Sequence, residues 1–181
     1  LQRRNRRTAR EGRESEMSKT VENLKAAFAG ESQANRKYLA YAKKADDEGY
    51  AQAARMFRAA AAAETVHAHA HLRAMDGIGS TADNLKDAIA GETHEFNSMY
   101  PAMIEAADAE GHSQAATSFR FANKVEETHA DLYQGILDGL GGAQEEYPYF
   151  VCPVCGHTVG KAAPDTCPVC GTPGGKFMKI D

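Results

Sequence analysis

Seven side chains have the types and spacing to hold metal ions: Glu31, Glu64, His67, Glu92, Glu95, Glu126 and His129. Glu64 with His67 and Glu126 with His129 are both Glu-x-x-His pairs. On a helix, that interval puts carboxylate and imidazole on one side, a turn apart. A glutamate from each of two helices, with a Glu-x-x-His from each of two others, is the ligand set of di-iron carboxylate bundles. Carboxylates can bridge two metals, and imidazole nitrogen suits iron. A lone Glu-x-x-His on an alanine-rich helix is ordinarily a solvated face. Here the pair recurs with a glutamate on each partner helix, and so many inward charges without a cation would cost several kcal/mol per ion.

A second constellation lies near the C-terminus. Cys152-Pro-Val-Cys155-Gly156 and Cys167-Pro-Val-Cys170-Gly171 are two copies of one loop and hold every cysteine of the chain. A two-residue spacer lets both sulfurs face one ion, and the glycine permits the tight turn that aims backbone N–H groups at sulfur. Four thiolates so paired make a tetrahedral site that suits iron and zinc equally. Cysteines grouped this way are metal ligands rather than disulfides in a reducing compartment, so a cytoplasmic location is expected.

The elements that must carry these groups are helical from Ser18 to Gly139, where alanine, leucine, lysine and glutamate dominate. Four helices are predicted, at about 20–47, 50–75, 82–109 and 112–138, with Gly49 and Gly111 as left-handed caps and Ser80 or Thr81 starting the third. Pro101 is the misfit, because an interior proline removes a hydrogen bond and kinks a helix. The region is a duplicated hairpin: Asn23–Glu31 returns as Asn84–Glu92 at an offset of 61, while Glu48-Gly49, Phe57-Arg58 and Glu64/His67 return at an offset of 62. The slip puts one extra residue between Glu92 and Glu110. Either a π-bulge, which tends to mark functional sites, or a change in turn length would absorb it. Glu95 breaks the symmetry, since its counterpart is Ala34. A turn beyond Glu92, it can face the same metals. His69 reads as a surface residue and His71 as a partly exposed structural one. After Gly142 the chain becomes rich in proline and glycine, and that short segment needs a metal staple for want of a core.

Composition excludes several classes. With 43% hydrophobic and 25% charged residues the chain is globular. No apolar run approaches the ~20 residues of a membrane span, and no secretory signal is evident, so neither a membrane nor export is expected. The net charge of −4 hides an arm, residues 1–16, with six arginines against three glutamates. A nucleic-acid tether is one reading of it; a disordered extension outside the fold is the one adopted, because the arm has almost no apolar residues to anchor it.

Together these motifs resemble the rubrerythrins. The likeness runs from Met17 to Asp181: Ala29-Gly-Glu31-Ser-Gln-Ala34, Glu64-x-x-His67, Gly91-Glu92-x-x-Glu95, Glu126-Glu-x-x-Ala130 with His129, then a rubredoxin-like Cys-x-x-Cys pair. The resemblance implies an all-α, ferritin-like four-helix bundle over 17–142 and a rubredoxin-like domain over 146–181. It implies a di-iron centre, a mononuclear Fe(Cys)4 site (zinc remaining possible there), and a peroxidase that reduces hydrogen peroxide in oxidative-stress protection. Electrons would come from NAD(P)H through rubredoxin or a separate reductase. By the same likeness Glu31, Glu64, Glu92 and Glu126 ligate the iron pair and His129 binds one iron. Glu95 and His67 exchange on the other, and Tyr38 and Tyr100 hydrogen-bond ligand carboxylates; packing in the core is the plainer role for either tyrosine. One departure has a physical consequence. In a ferritin-like bundle the second and third helices run parallel, at ~40 Å each, yet Asp76–Thr81 spans only ~20 Å when stretched. A domain-swapped homodimer is therefore expected, with hairpin 20–75 of one chain completed by hairpin 82–138 of the other. Two rival readings are a ferroxidase or iron-storage protein, and a zinc-ribbon binding module whose basic arm touches nucleic acid.

Overall fold

Capping residues and alanine spacing account for the helices of the computed structural model, which describes residues 18–143 and 145–181. The basic arm lies outside the described residues. Two compact units meet the eye, one ending at Ile78 and one running from Gly79 to Asp181.

The first unit is a helical hairpin. Helix α1 (Lys19–Asp47) starts where the Ser18 hydroxyl accepts the Val21 N–H at 3.3 Å. It stops at Gly49 (φ +83°), where the Tyr50 N–H reaches back to the Ala45 carbonyl at 2.8 Å and closes a Schellman cap. Helix α2 (Ala51–Ala74) returns alongside. The buried residues of this hairpin are all alanines: Ala42, Ala45, Ala54, Ala61 and Ala68. Methyl-sized side chains let two helix backbones come close, and the Asn35 amide joins them by donating to the Ala61 carbonyl at 2.6 Å and to Thr65 Oγ1 at 2.8 Å. Arg58 also pairs with Asp46 at 2.6 Å, a half-exposed contact of the kind that contributes about 0.2–1 kcal/mol.

The second unit repeats the hairpin with one change. Helix α3 (Thr81–His94) is capped by Ser80, whose hydroxyl accepts the Asp83 N–H at 3.2 Å. A π-helical turn (Glu95–Met99) follows, then α4 (Tyr100–Ala109) and α5 (Ser113–Asp138). The turns of both hairpins are three residues long, 48–50 and 110–112. The slip in the repeat therefore does not lie in the turn; the π turn holds the extra residue. There the Tyr100 N–H bonds the Glu95 carbonyl, five residues back. Pro101 follows at once, near the start of α4. The ladder is already loosened at that point, so a residue with no N–H costs little. Other features duplicate faithfully. Arg120 pairs with Asp108 as Arg58 does with Asp46, and the Tyr100–Phe119 rings stand 6.2 Å apart, as do Tyr38–Phe57.

The cysteine segment forms an antiparallel sheet of β1 (Tyr149–Val151), β2 (Thr158–Gly160) and β3 (Met178–Ile180) in the order β2-β1-β3. Its pairing puts Val151 opposite both Thr158 and Met178. The segment lies against α5, with Gly156 beside Val125, which is 2% exposed. Among the described residues, no helix is long and apolar enough to cross a membrane.

Candidate metal centre

Each hairpin brings together one carboxylate from its first helix and a Glu-x-x-His from its second. In the first unit, ligand atoms of Glu31, Glu64 and His67 all lie within 4.8 Å of one another. His67 Nδ1 is 2.8 Å from Glu64 Oε2, and its side chain is 55% exposed. In the second unit Glu92, Glu126 and His129 form the equivalent group, again within 4.8 Å. His129 Nδ1 stands 2.8 Å from Glu126 Oε2 and 3.9 Å from Glu92 Oε1, with the ring only 27% exposed.

The electrostatics of the second group call for a cation. Burial, followed by the charge of Glu126, pushes the Glu92 carboxyl above the usual carboxylate range, and His129 only partly offsets this. The hydrogen bonds of His129 point the same way. Its Nε2 lies 2.9 Å from Thr158 Oγ1, and the single hydroxyl proton of Thr158 goes to the Gly156 carbonyl at 3.0 Å. Nε2 must then be the donor. In the neutral ring Nδ1 keeps its lone pair, aimed at two carboxylates. Three lone-pair donors converging on one point fit a metal ion.

Glu95 is not a member of that close set. It opens the π turn, and its charge still reaches Tyr100: burial, then Glu95, Glu126 and Glu92, raise the Tyr100 phenol above its ordinary value. Tyr38, the counterpart of Tyr100, packs its ring 6.2 Å from Phe57 and 6.3 Å from Tyr41. His69 is exposed and His71 half-buried.

The four cysteines converge too. Sγ of Cys152 and Cys170 are 3.6 Å apart, as are those of Cys155 and Cys167. The edge of a tetrahedron with ~2.3 Å metal–sulfur bonds is ~3.8 Å, so the cavity fits one ion. All four are free thiols. The two loops superimpose in their bonding: Gly156 (φ +84°) and Gly171 (φ +75°) donate to the Cys152 and Cys167 carbonyls, each at 3.0 Å. Burial opposes ionisation of Cys152, but N–H groups of Cys155 and Val154, with Cys170 and Thr172, overcome it and bring the thiol down to about 6. Burial also opposes ionisation of Cys170, but the Thr172 hydroxyl, 3.1 Å from its sulfur, the Thr172 N–H and Cys155 together outweigh it. Burial and the neighbouring sulfurs push Cys155 up. Four sulfurs so close could all ionise only around a cation.

Comparison with known proteins agrees with this geometry. The family model described as Rubrerythrin matches residues 22–137, and that of the rubrerythrin rubredoxin-like domain matches 150–178. The chain belongs to the rubrerythrin family. Nigerythrin of Nitratidesulfovibrio vulgaris is 38% identical over 152 residues, covering 76% of this chain and 75% of its own. Rubrerythrin of Porphyromonas gingivalis is 38% identical over 165 residues, covering 81% and 82%. A solved structure of nigerythrin in a mixed-valence state matches with a TM-score of 0.55 at 35% identity, over 92% of this chain and 89% of the other. The rubrerythrin fold here is thus the all-α, ferritin-like class with a C-terminal rubredoxin-like domain. Its cofactors are a di-iron centre and a rubredoxin-like Fe(Cys)4 site, and it is an oxidoreductase of the oxidative-stress type, from a family that suggests rubredoxin-type donors. The sequence alone does not single out Thr158 or Thr172. Thr172 carried a faint signal, two residues past a cysteine; Thr158 carried none, because its partner is 29 residues away.

Proposed function

We propose that this rubrerythrin is a cytoplasmic peroxidase that reduces hydrogen peroxide to water with electrons originating from NAD(P)H. One observation supports it above the rest: two half-sites of the same composition, each a carboxylate beside a Glu-x-x-His, occur in one chain with a tetrathiolate cavity. Glu31, Glu64, Glu92, Glu126 and His129 are the ligands we assign to the iron pair. His67 and Glu95 are alternates for one position, and Cys152, Cys155, Cys167 and Cys170 hold the single iron. Iron held by these residues would supply the two electrons that peroxide reduction needs, to be replaced singly by the donor. The chain's own groups do the rest. Tyr100, its phenol held protonated by burial and by the surrounding carboxylates, keeps a proton at Oη beside Glu95 for the water that forms. Tyr38 is assigned the same place in the other hairpin.

The domains we assign are 17–142 for the di-iron region and 146–181 for the rubredoxin-like region. We further propose a swapped homodimer. Helix α2 has 24 residues, about 36 Å at 1.5 Å per residue, while the link of residues 75–80 reaches at most ~25 Å. In a ferritin-like bundle that link cannot return along α2, so the second hairpin of a partner chain completes the first.

The test is peroxide consumption by anaerobic, iron-loaded protein supplied with NAD(P)H, a reductase and rubredoxin. Turnover is expected, and Cys170→Ser should abolish it while leaving one stoichiometric oxidation by peroxide. Unimpaired turnover in Cys170→Ser would refute the electron route, and no peroxide consumption by the parent would refute the activity.

A further inference from the structure

We infer that Thr158 is the positioning residue that makes His129 the fixed histidine of the metal site, a contact that His67 does not make within its own unit. The inference rests on the proposed ligand set and adds the device that distinguishes its two histidines.

The duplicated hairpin supplies an internal comparison. His67 and His129 occupy the same repeat position, and each has Nδ1 2.8 Å from the Oε2 of its own Glu-x-x-His glutamate. Their far sides differ. His129 Nε2 meets Thr158 Oγ1 at 2.9 Å, and its ring is 27% exposed. Among the described residues of the first unit no group bonds His67 Nε2, and that ring is 55% exposed. Identical neighbours on one side and unequal ones on the other mean that the repeat cannot account for the difference. The cysteine segment does.

Thr158 is well suited to the task because it is itself held. It opens β2 opposite Val151, and its hydroxyl donates to the Gly156 carbonyl at 3.0 Å. Gly156 in turn donates to the Cys152 carbonyl at 3.0 Å. One hydrogen-bonded run thus joins the cysteine loop to His129 within a single chain. It fixes both the tautomer and the ring angle, the usual work of a group behind a metal-bound histidine. Beside this contact lies a cavity of about 410 Å³ lined by Leu85, Leu132, Tyr133, Ile136 and Tyr149.

The test uses the full chain with its cysteine site iron-loaded, and measures ferrous iron binding at the carboxylate site by anaerobic competition with a chelator. Thr158→Val should weaken that binding by about tenfold, and Thr158→Ser should restore it. In zinc-loaded protein, NMR should find the His129 Nε2–H protected from exchange in the parent and in Thr158→Ser, and unprotected in Thr158→Val. Equal iron affinity in Thr158→Val and the parent would overturn the inference, as would failure of Thr158→Ser to recover, since residue shape alone would then matter. Should Thr158→Val not fold, an unprotected His129 Nε2–H in the parent would overturn it. A parent that binds no iron at the carboxylate groups would instead bring down the proposed function itself.

Discussion

At the scale of single residues, ionising the neighbouring carboxylates of the second unit costs free energy that a proton or a metal cation relieves. Glu92 is raised above its ordinary value by burial and by Glu126. The metal-free folded state therefore holds the Glu92 proton more tightly than the unfolded chain does. The sign follows from linkage: this contribution favours folding below the unfolded value of 4.5 and is lost as pH rises through the folded one. Metal-free Glu92→Gln is expected to be more stable than the parent at neutral pH, with a flatter profile above that value, while losing iron at its site. Urea titrations across pH, with metal analysis alongside, check both halves. His67→Ala is expected to retain iron but slow peroxide reduction, which stopped-flow oxidation of the reduced protein would measure. An unchanged rate would remove His67 from the chemistry.

Among the elements, the π turn sets which residues of the third helix face α5. Each residue added to a helix advances the following side chains by about 100°. Glu95–Met99 absorbs one such step, so Glu92 keeps the repeat position of Glu31 while Tyr100 keeps that of Tyr38. Deleting Ser98 should regularise the helix and give Glu92 and Tyr100 the spacing of Glu31 and Tyr38, which still brings a glutamate to its Glu-x-x-His. Helical circular dichroism and iron binding by Glu92, Glu126 and His129 are therefore expected to survive, measured by anaerobic competition with a chelator, and loss of that iron would show that the π turn itself positions Glu92. In the cysteine segment a Cβ on Gly174 would overlap the backbone carbonyl of Pro164. Gly174→Ala should therefore destabilise that domain by about 1–3 kcal/mol, visible as loss of ferric tetrathiolate absorption at lower temperature with the helices intact.

Taken as a whole molecule, the chain carries two half-sites, and its assembly decides how they are completed. The swapped dimer predicts that sedimentation finds a dimer at full iron loading; a fully loaded monomer would exclude the swap. Much of this was legible in the linear order of residues. The helices were, because alanine-rich periodicity, Ser80 and the Gly49 and Gly111 caps act locally. The clusters able to hold metal could be read off because the duplication repeats Glu-x-x-His and the cysteine loops repeat Cys-Pro-Val-Cys-Gly, and the spacing of donors within a turn or loop is a local matter. The one-residue slip was readable as well, but two explanations fitted it until equal turn lengths located it at Glu95–Met99. What only the tertiary structure decided is the group behind His129. Nothing in the sequence near that histidine points to it, and Thr158 reaches His129 only because a three-stranded sheet packs the cysteine loop against α5. Short-range geometry is written in spacing, whereas a hydrogen bond across 29 residues exists only after the chain has closed on itself.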